Sequence, residues 1–150
     1  MVLALDPATQ LGWATEEESG TISFRTKKTK DAFQRVKLFH DWLEDMVIQN
    51  EVTHIIYEKP TMKHFSATRS HSHFEAIIML VCFDNDITFD YVSASTIKKF
   101  ATGKGNADKQ QMMIAYKAKY KKEPLDDNEC DARFLLDYHF YKFKHGSIIH

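Results

Sequence analysis

"VLALDPATQLGWA", residues 2–14, places an acid at the end of an apolar run and a proline directly after it. Val2 to Leu5 has the length and apolarity of a central strand. Pro7 lacks an amide donor and stops the ladder, and Gly12 and Trp13 then open a second strand after a tight turn. Asp6 therefore stands at a strand end, beside the core yet close to solvent. Taken alone, it reads most simply as a turn-initiating aspartate before proline. The alternative is a carboxylate held rigidly for metal or phosphate chemistry.

Outward from this stretch, the pattern predicts strands at about 2–6, 11–16 and 20–25, an antiparallel meander whose second turn is "EEESG". Ala32, Val36, Phe39, Leu43 and Met46 recur at spacings of four and three, which predicts a helix after "TKD". "THIIYEK" (53–59) reads as a short buried strand ended by Pro60, and 60–71 as a polar loop. "HFEAIIMLVCF" (73–83) is apolar almost all round and predicts a helix buried on more than one side. "TFDYVSA" (88–94) is another strand, and "STIKKF" (95–100) a short helix capped by Ser95. After the loop "GKGN" comes a helix over 107–120 broken by Pro124, then a last helix from about Asp127 to Tyr141 and a frayed tail. Its Phe and Tyr residues, with Met112 and Met113, are expected in the core. The order implies an α/β domain with a mixed sheet, three antiparallel strands followed by parallel ones joined through crossovers.

A chain of 150 residues with 43% hydrophobic and 13% aromatic content is expected to form one packed domain. No apolar run reaches the length of a membrane span, and a signal-peptide pattern is not seen, so a cytoplasmic protein with no membrane partner is expected. Cys82 and Cys130 show no metal-type spacing and read as reduced and buried. The net charge of −1 hides an uneven distribution. Eight lysines and a single acid, Asp108, lie between Lys98 and Lys122. "FRTKKTK" (24–30) is a second basic stretch, and "KPTMKHFSATRSHSH" (59–73) a third, free of acids and with Phe65 in its middle. One such stretch would be a solvated face; three suggest a field aimed at phosphates. His64, His71 and His73 lack paired metal-ligand spacings, and contact with phosphate suits them better than zinc.

"HIIYEKP" repeats the opening motif, an apolar strand that ends in an acid, Glu58, shortly before a proline. The predicted topology sets the C-terminal ends of the first and fourth strands side by side. A charge at a buried strand end is costly unless paired or bound to a cation. In "PLDDNECDARFLL" (124–136), Asp127 and Asp131 are four apart and stack on one helix face. An acidic helix N-terminus accounts for Asp126, Asp127 or Glu129 but less well for Asp131, beyond the first turn. Four carboxylates, Asp6, Glu58, Asp127 and Asp131, suit two Mg²⁺ ions about 4 Å apart, with Mn²⁺ as a substitute. One ion would activate a water while the other stabilises the departing 3′ oxygen, the chemistry of phosphodiester hydrolysis.

The motifs "LALDPATQLGWA", "IIYEKP", "STIKKFATGKGNADK" and "DDNECDARFLL" occur in series from residue 3 to about 136. In this order they resemble the RuvC-type Holliday junction resolvases of the ribonuclease H-like superfamily, in a compact form like the resolvase-like proteins of phages. The resemblance implies a ribonuclease H-like fold, a five-stranded mixed sheet flanked by helices, and a bacterial or phage-infected cell. It implies Asp6, Glu58 and Asp131 as metal ligands and Lys98 and Lys109 as basic residues near the scissile phosphate. Where the family places an acid or histidine three residues before the final aspartate, this chain has Asn128. Asp127 is the candidate fourth ligand, with the Asn128 carbonyl oxygen as the alternative. The family's aromatic wedge is not in its usual place, and Phe65 is the nearest substitute. Lys59, Lys63, Arg69, Lys99 and Lys104 complete the expected DNA contacts.

The leading expectation is thus a Mg²⁺-dependent endonuclease on four-way junctions, acting as a homodimer with helix 73–83 as the dimer surface. Related nucleases on other branched DNA or RNA–DNA hybrids fit the same motifs. A non-catalytic junction-binding protein fits the intact acids less well. An actin-like kinase would need a second glycine-rich phosphate loop and roughly double the length.

Overall fold

Alternation along the first strand explains the architecture, because it gives the sheet two different faces. In the computed structural model, β1 (Val2–Asp6) sends Leu3 and Leu5 into one core and Ala4 into another, all fully buried. The structure describes residues 1–7, 10–24, 32–59 and 65–146, without the side chains of 32, 65–71 and 146. β2 (Leu11–Ala14) pairs antiparallel with β1, and β3 (Ser19–Ile22) antiparallel with β2. β4 (His54–Lys59) lies parallel to β1 on its other side, and β5 (Thr88–Ser93) parallel to β4. The order β3-β2-β1-β4-β5 is the mixed five-stranded sheet expected from the sequence. β2 ends at Ala14, two residues short of the expectation, because the chain turns at Thr15, whose amide donates to the Glu18 carbonyl at 2.7 Å; β3 starts one residue early, at Ser19, and ends at Ile22.

The Leu3–Leu5 face carries α1 (Ala32–Gln49) and α2 (Phe65–Asp84), with Phe39, Leu43, Ile55, Tyr57 and Ile78 in its core. Burying such side chains contributes about 1.5–3 kcal/mol each. The Ala4 face carries α3 (Ala94–Thr102), α4 (Lys109–Tyr120) and α5 (Asp127–Gly146) around Ile56, Ile97, Met112, Tyr116 and Phe134. Met112 is buried and Met113 packs beside it, as expected. Cys82 and Cys130 are free and buried, also as expected. Among the described residues, no helix is long and apolar enough to cross a membrane.

Several elements differ from the sequence reading. Helix α2 starts at Phe65, so the second half of the expected polar loop is helical; residues 60–64 lie outside the described part. A polar first turn carries no apolar period to read, and helix length here follows from docking on α1, where Phe74 meets Phe39 edge-on at 4.6 Å. Nor is α2 buried on several sides. Ile78, Val81 and Cys82 face the core, whereas Met79, Leu80 and Phe83 are exposed, because α1 and the sheet cover one side of the helix.

Ser93, not Ser95, caps α3, since β5 runs straight into the helix and the Ser93 hydroxyl accepts from the Thr96 amide. Pro124 is not the residue that ends α4: Lys121 adopts a left-handed conformation (φ 60°) and stops the helix three residues earlier. Helix α5 runs to Gly146, past Tyr141, supported by Phe100 against Tyr138 and Tyr141 and by the ion pair of Lys142 with Asp90 at 3.0 Å. Of its aromatic residues Phe134 is core, while Phe140, Tyr141 and Phe143 are exposed, because the helix outruns the sheet.

One small residue sets the distance between α5 and the sheet. A Cβ added to Gly12 would lie 2.0 Å from the backbone carbonyl oxygen of Asn128 and 2.4 Å from its carbon. Gly12 pairs with Asp6 across the β1–β2 ladder, so the helix start rests on the strand pair beside that acid. A strand glycine used for close approach is its usual interior role. Gly12→Ala should therefore force backbone apart and cost about 1–3 kcal/mol or more, which chemical denaturation will measure as a lower midpoint at unchanged slope.

Candidate active site

The parallel register Leu5↔Tyr57 sets Asp6 beside Glu58 at the C-terminal ends of two adjacent strands. Strand alternation puts both on the Ala4–Ile56 face, toward α5. Pro7 is buried behind Asp6, and Asp6 itself is only 4% exposed. The opening aspartate is thus more than a turn former: it is a carboxyl walled into the structure.

The acids at the start of α5 divide by partner. Asp126 Oδ1 accepts from the Glu129 amide at 2.9 Å and from the Thr21 hydroxyl at 2.7 Å, so it caps the helix and ties it to β3. Glu129 is buried and accepts from the Leu125 amide at 3.1 Å. These two acids satisfy the helix terminus. Asp127 and Asp131, one turn apart, are left facing Asp6 and Glu58. Asn128 lies between them with its backbone against Gly12.

Like charges in a partly dry site change each other's protonation. Asp6 is raised well above the usual carboxylate range, first by burial, then by its hydrogen bond to Glu58, then by the charges of Glu58, Asp131 and Asp127. Asp131 is pushed up to about 7 by burial and by Glu58 and Asp127, with Lys98 and Lys109 pulling it back. The neighbouring Cys130 thiol is driven to about 12 by burial and these acids, which leaves it inert as a nucleophile.

Two lysines reach this cluster from the other helices. Lys98 lies on α3, and Lys109 is the first residue of α4. A capping box fixes that start: the Gln111 amide donates to Asp108 at 2.8 Å and the Asp108 amide to the Gln111 side chain at 2.9 Å. Lys109 Nζ stands 3.2 Å from Asp127 Oδ2. Lys99 and Lys104 are exposed on α3 and the loop after it. Lys59 is exposed too, with its Nζ 4.4 Å from the centre of the Tyr91 ring. Further along α4, Lys117 pairs with Glu123 at 2.8 Å and Lys119 with Asp137 at 3.1 Å. Within the basic run read from sequence, Lys98 and Lys109 thus act on the acids, whereas Lys117 and Lys119 are engaged in ion pairs elsewhere. The Lys63, Phe65 and Arg69 side chains lie outside the described residues, as do His64 and most of "FRTKKTK".

Three supports of the site are not among the candidate site residues expected from sequence. Gly12 carried a signal, as a glycine inside a strand pattern. Asp108 carried another, since Asp followed three residues later by Gln is a capping-box signature. The hydrogen bond from Tyr57 to Glu75, which ties the end of β4 to α2, carried none.

The described residues suit hard divalent cations by their chemistry: oxygen donors only, a buried acid against an acid, and a negative charge that two lysines offset in part. Among the described residues, no three or more His, Cys, Asp or Glu side chains are arranged so as to hold a metal ion.

A sheet of this order, with acids at the ends of its two central parallel strands and at the start of the last helix, defines the ribonuclease H-like α/β class. Within it, the chain belongs to the RuvC family: the family model for crossover junction endodeoxyribonuclease RuvC matches residues 14–135. That span holds Glu58, Lys98, Lys109, Asp127 and Asp131, with Asp6 before it. The fold is similar to a Thermus thermophilus RuvC structure, with a TM-score of 0.77 at 16% identity over 97% of this chain and 96% of that one. It is similar also to T. thermophilus RuvC in complex with Holliday junction substrate, with a TM-score of 0.72 at 16% identity over 89% and 88% of the two chains. No curated protein sequence matches.

The raised carboxyls link stability to pH. An unfolded aspartate releases its proton near 3.8, whereas Asp131 holds its own to about 7. Stability is therefore fully present below the lower value and falls as pH rises toward the upper one. In the presence of a chelator, Asp131→Asn should raise the thermal midpoint at pH 8 by about 4 °C or more and leave it nearly unchanged at pH 4, as followed by calorimetry.

Proposed function

We propose that this protein is a Mg²⁺-dependent, structure-selective DNA endonuclease that resolves four-way junctions as a homodimer. The observation that supports this most is the convergence of Asp6 and Glu58, at adjacent strand ends, with Asp127 and Asp131 of α5, and with Lys98 and Lys109 acting on the same cluster. In this reading Asp6, Glu58, Asp127 and Asp131 would hold two Mg²⁺ or Mn²⁺ ions. Bound there, such ions lower the pKa of an attacking water and stabilise the leaving 3′ oxygen.

The chain's own side chains do the rest. Burial of Asp6 and Asp131 keeps bulk water from screening the charges at the reacting phosphate. Lys109, held at the start of α4, stabilises the charge that develops on that phosphate, and Lys98 flanks it. Lys59, Lys99 and Lys104, with Lys63, Arg69 and Phe65, contact the branched DNA. Their phosphate contacts fix its position without reading sequence. The exposed Met79, Leu80 and Phe83 of α2 provide the surface for a symmetric dimer, matched to the near two-fold symmetry of a junction.

The direct test is cleavage of a synthetic four-way junction, a plain duplex and an RNA–DNA hybrid, each with and without Mg²⁺. Junction-selective, Mg²⁺-dependent nicking is expected; equal cutting of the hybrid would point to a general ribonuclease H-like nuclease instead. Asp6→Asn, Glu58→Gln and Asp131→Asn should each abolish cleavage and leave junction binding largely intact.

The two neighbouring aspartates should separate cleanly. Asp127→Ala is expected to impair cleavage severely at normal stability. Asp126→Ala should lose about 1 kcal/mol of stability with its helix cap and still cut. A damaging Asn128→Ala beside a mild Asp127→Ala would transfer the fourth ligand to Asn128.

Lysines should divide in the same manner. Lys109→Ala is expected to cut slowly in single-turnover assays even at saturating protein. Lys117→Ala and Lys119→Ala should cut bound junctions at the normal rate, and any phosphate contact they make would change the salt slope by about one. Full recovery of the Lys109→Ala rate at high protein concentration would reduce Lys109 to an ordinary DNA contact.

A further inference from the structure

Lys109 carries an assignment that conflicts with its position. It is 84% exposed, yet its ammonium group is 3.2 Å from Asp127 Oδ2, and Asp127 is itself 34% exposed. Both ends of the pair are anchored. The capping box holds the backbone of Lys109, and Asp127 is the residue before Asn128, whose backbone packs on Gly12. Only the long lysine side chain is free to swing. An exposed ion pair of this kind is weak, within about 0–1 kcal/mol, so it is easily exchanged for another partner.

We propose that Lys109 is a latch on Asp127: in the DNA-free protein it occupies the carboxylate oxygen that a divalent cation needs. This inference rests on the cation-site reading above. An ammonium ion and a divalent cation cannot share one carboxylate oxygen at close range without strong repulsion. Lys109 therefore lowers the affinity of the free protein for the cation at Asp127. When Lys109 leaves, its charge needs a new counter-ion, and an incoming phosphate of the DNA backbone supplies one.

The same side chain thus links the two ligands. DNA draws Lys109 off Asp127 and tightens cation binding; by thermodynamic reciprocity the cation releases Lys109 and tightens DNA binding. Lys98 faces Asp131 but is not placed against Asp127, so it contributes to the field without forming the latch. A site guarded in this manner binds its cation strongly only with substrate present.

The test is a Mn²⁺ titration of the DNA-free protein, with free Mn²⁺ followed by its electron paramagnetic resonance signal, so that no catalysis is involved. Lys109→Ala should bind Mn²⁺ about three- to tenfold more tightly than the wild type, and Lys109→Arg should restore wild-type affinity. The exposed Lys104→Ala, which removes the same charge from the neighbouring loop, should have a much smaller effect. In an Asp127→Asn background, Lys109→Ala should bring no further gain, the mark of a direct interaction in a double-mutant cycle. Unchanged or weaker binding by Lys109→Ala would overturn the latch, and so would equal tightening by Lys104→Ala. If the wild type binds no Mn²⁺, or Asp131→Asn binds it as the wild type does, the cation-site reading itself fails and the latch falls with it.

Discussion

The contact of the Asn128 backbone with Gly12 is the constraint on which the site depends. Helix α5 carries two facing acids in its first two turns with a capping acid, Asp126, just before it, and β1 ends in a third facing acid. These groups meet only if the helix axis comes unusually near the sheet. Gly12 removes the side chain that would hold it away, and Ala4 and Ala14, both fully buried, keep the rest of that surface low. On the other face of the same strands Leu3, Leu5 and Leu11 fill a wide gap to α1 and α2. One sheet therefore has a thin side, which brings backbone to backbone, and a thick side, which supplies apolar burial. The thin side holds the acid cluster and the thick side the greater share of the bulky core.

That division has an electrostatic reason. Bringing Asp6, Glu58, Asp127 and Asp131 together is unfavourable in the protein alone, as the raised Asp6 and Asp131 carboxyls record. Such repulsion opposes folding, so it must be offset by packing elsewhere. Phe39, Leu43, Ile55 and Tyr57 pack behind the strands that end in the acids, and the Tyr57–Glu75 hydrogen bond fastens β4 directly beneath Glu58. The same repulsion is what makes the cluster receptive to positive charge. Lys98 and Lys109 already approach it, one from each of two short helices joined by residues 103–108, a connection that includes the left-handed Gly103 (φ 86°).

Family membership and geometry bear on different questions. The RuvC match covers 14–135 and identifies the lineage, while the low identity of the solved relatives makes their likeness one of fold. What the individual side chains do follows from their partners in this chain. Asp126 and Glu129 bond amides and hydroxyls of the protein, whereas Asp131 lies in the field of Glu58 and Asp127, and Asp127 acts on Asp6 and Asp131. Lys117 and Lys119 are matched with Glu123 and Asp137, and Lys109 with Asp127. Identical residue types a few positions apart thus serve stability in one case and, in the reading proposed here, catalysis in the other.

The sequence by itself determined the sheet and the two strand-end acids, because both are local signals. An apolar run of strand length, an acid and a proline occur twice, and a meander followed by crossovers leaves few topologies for five strands. It also placed Asp127 and Asp131 on one helix face, since helical periodicity needs no knowledge of the partner. The start of α2, the exposed side of that helix and the full length of α5 were not legible: each depends on which neighbouring element covers a surface. The split of the lysines into a site group and a paired group was hidden for the same reason, since a charge run is one-dimensional and its partners lie on other helices. Which acid joins the site and which caps the helix was decided only when Gly12 let α5 settle on β2, for that contact fixes the rotation of the helix and so the direction of every side chain in its first turn.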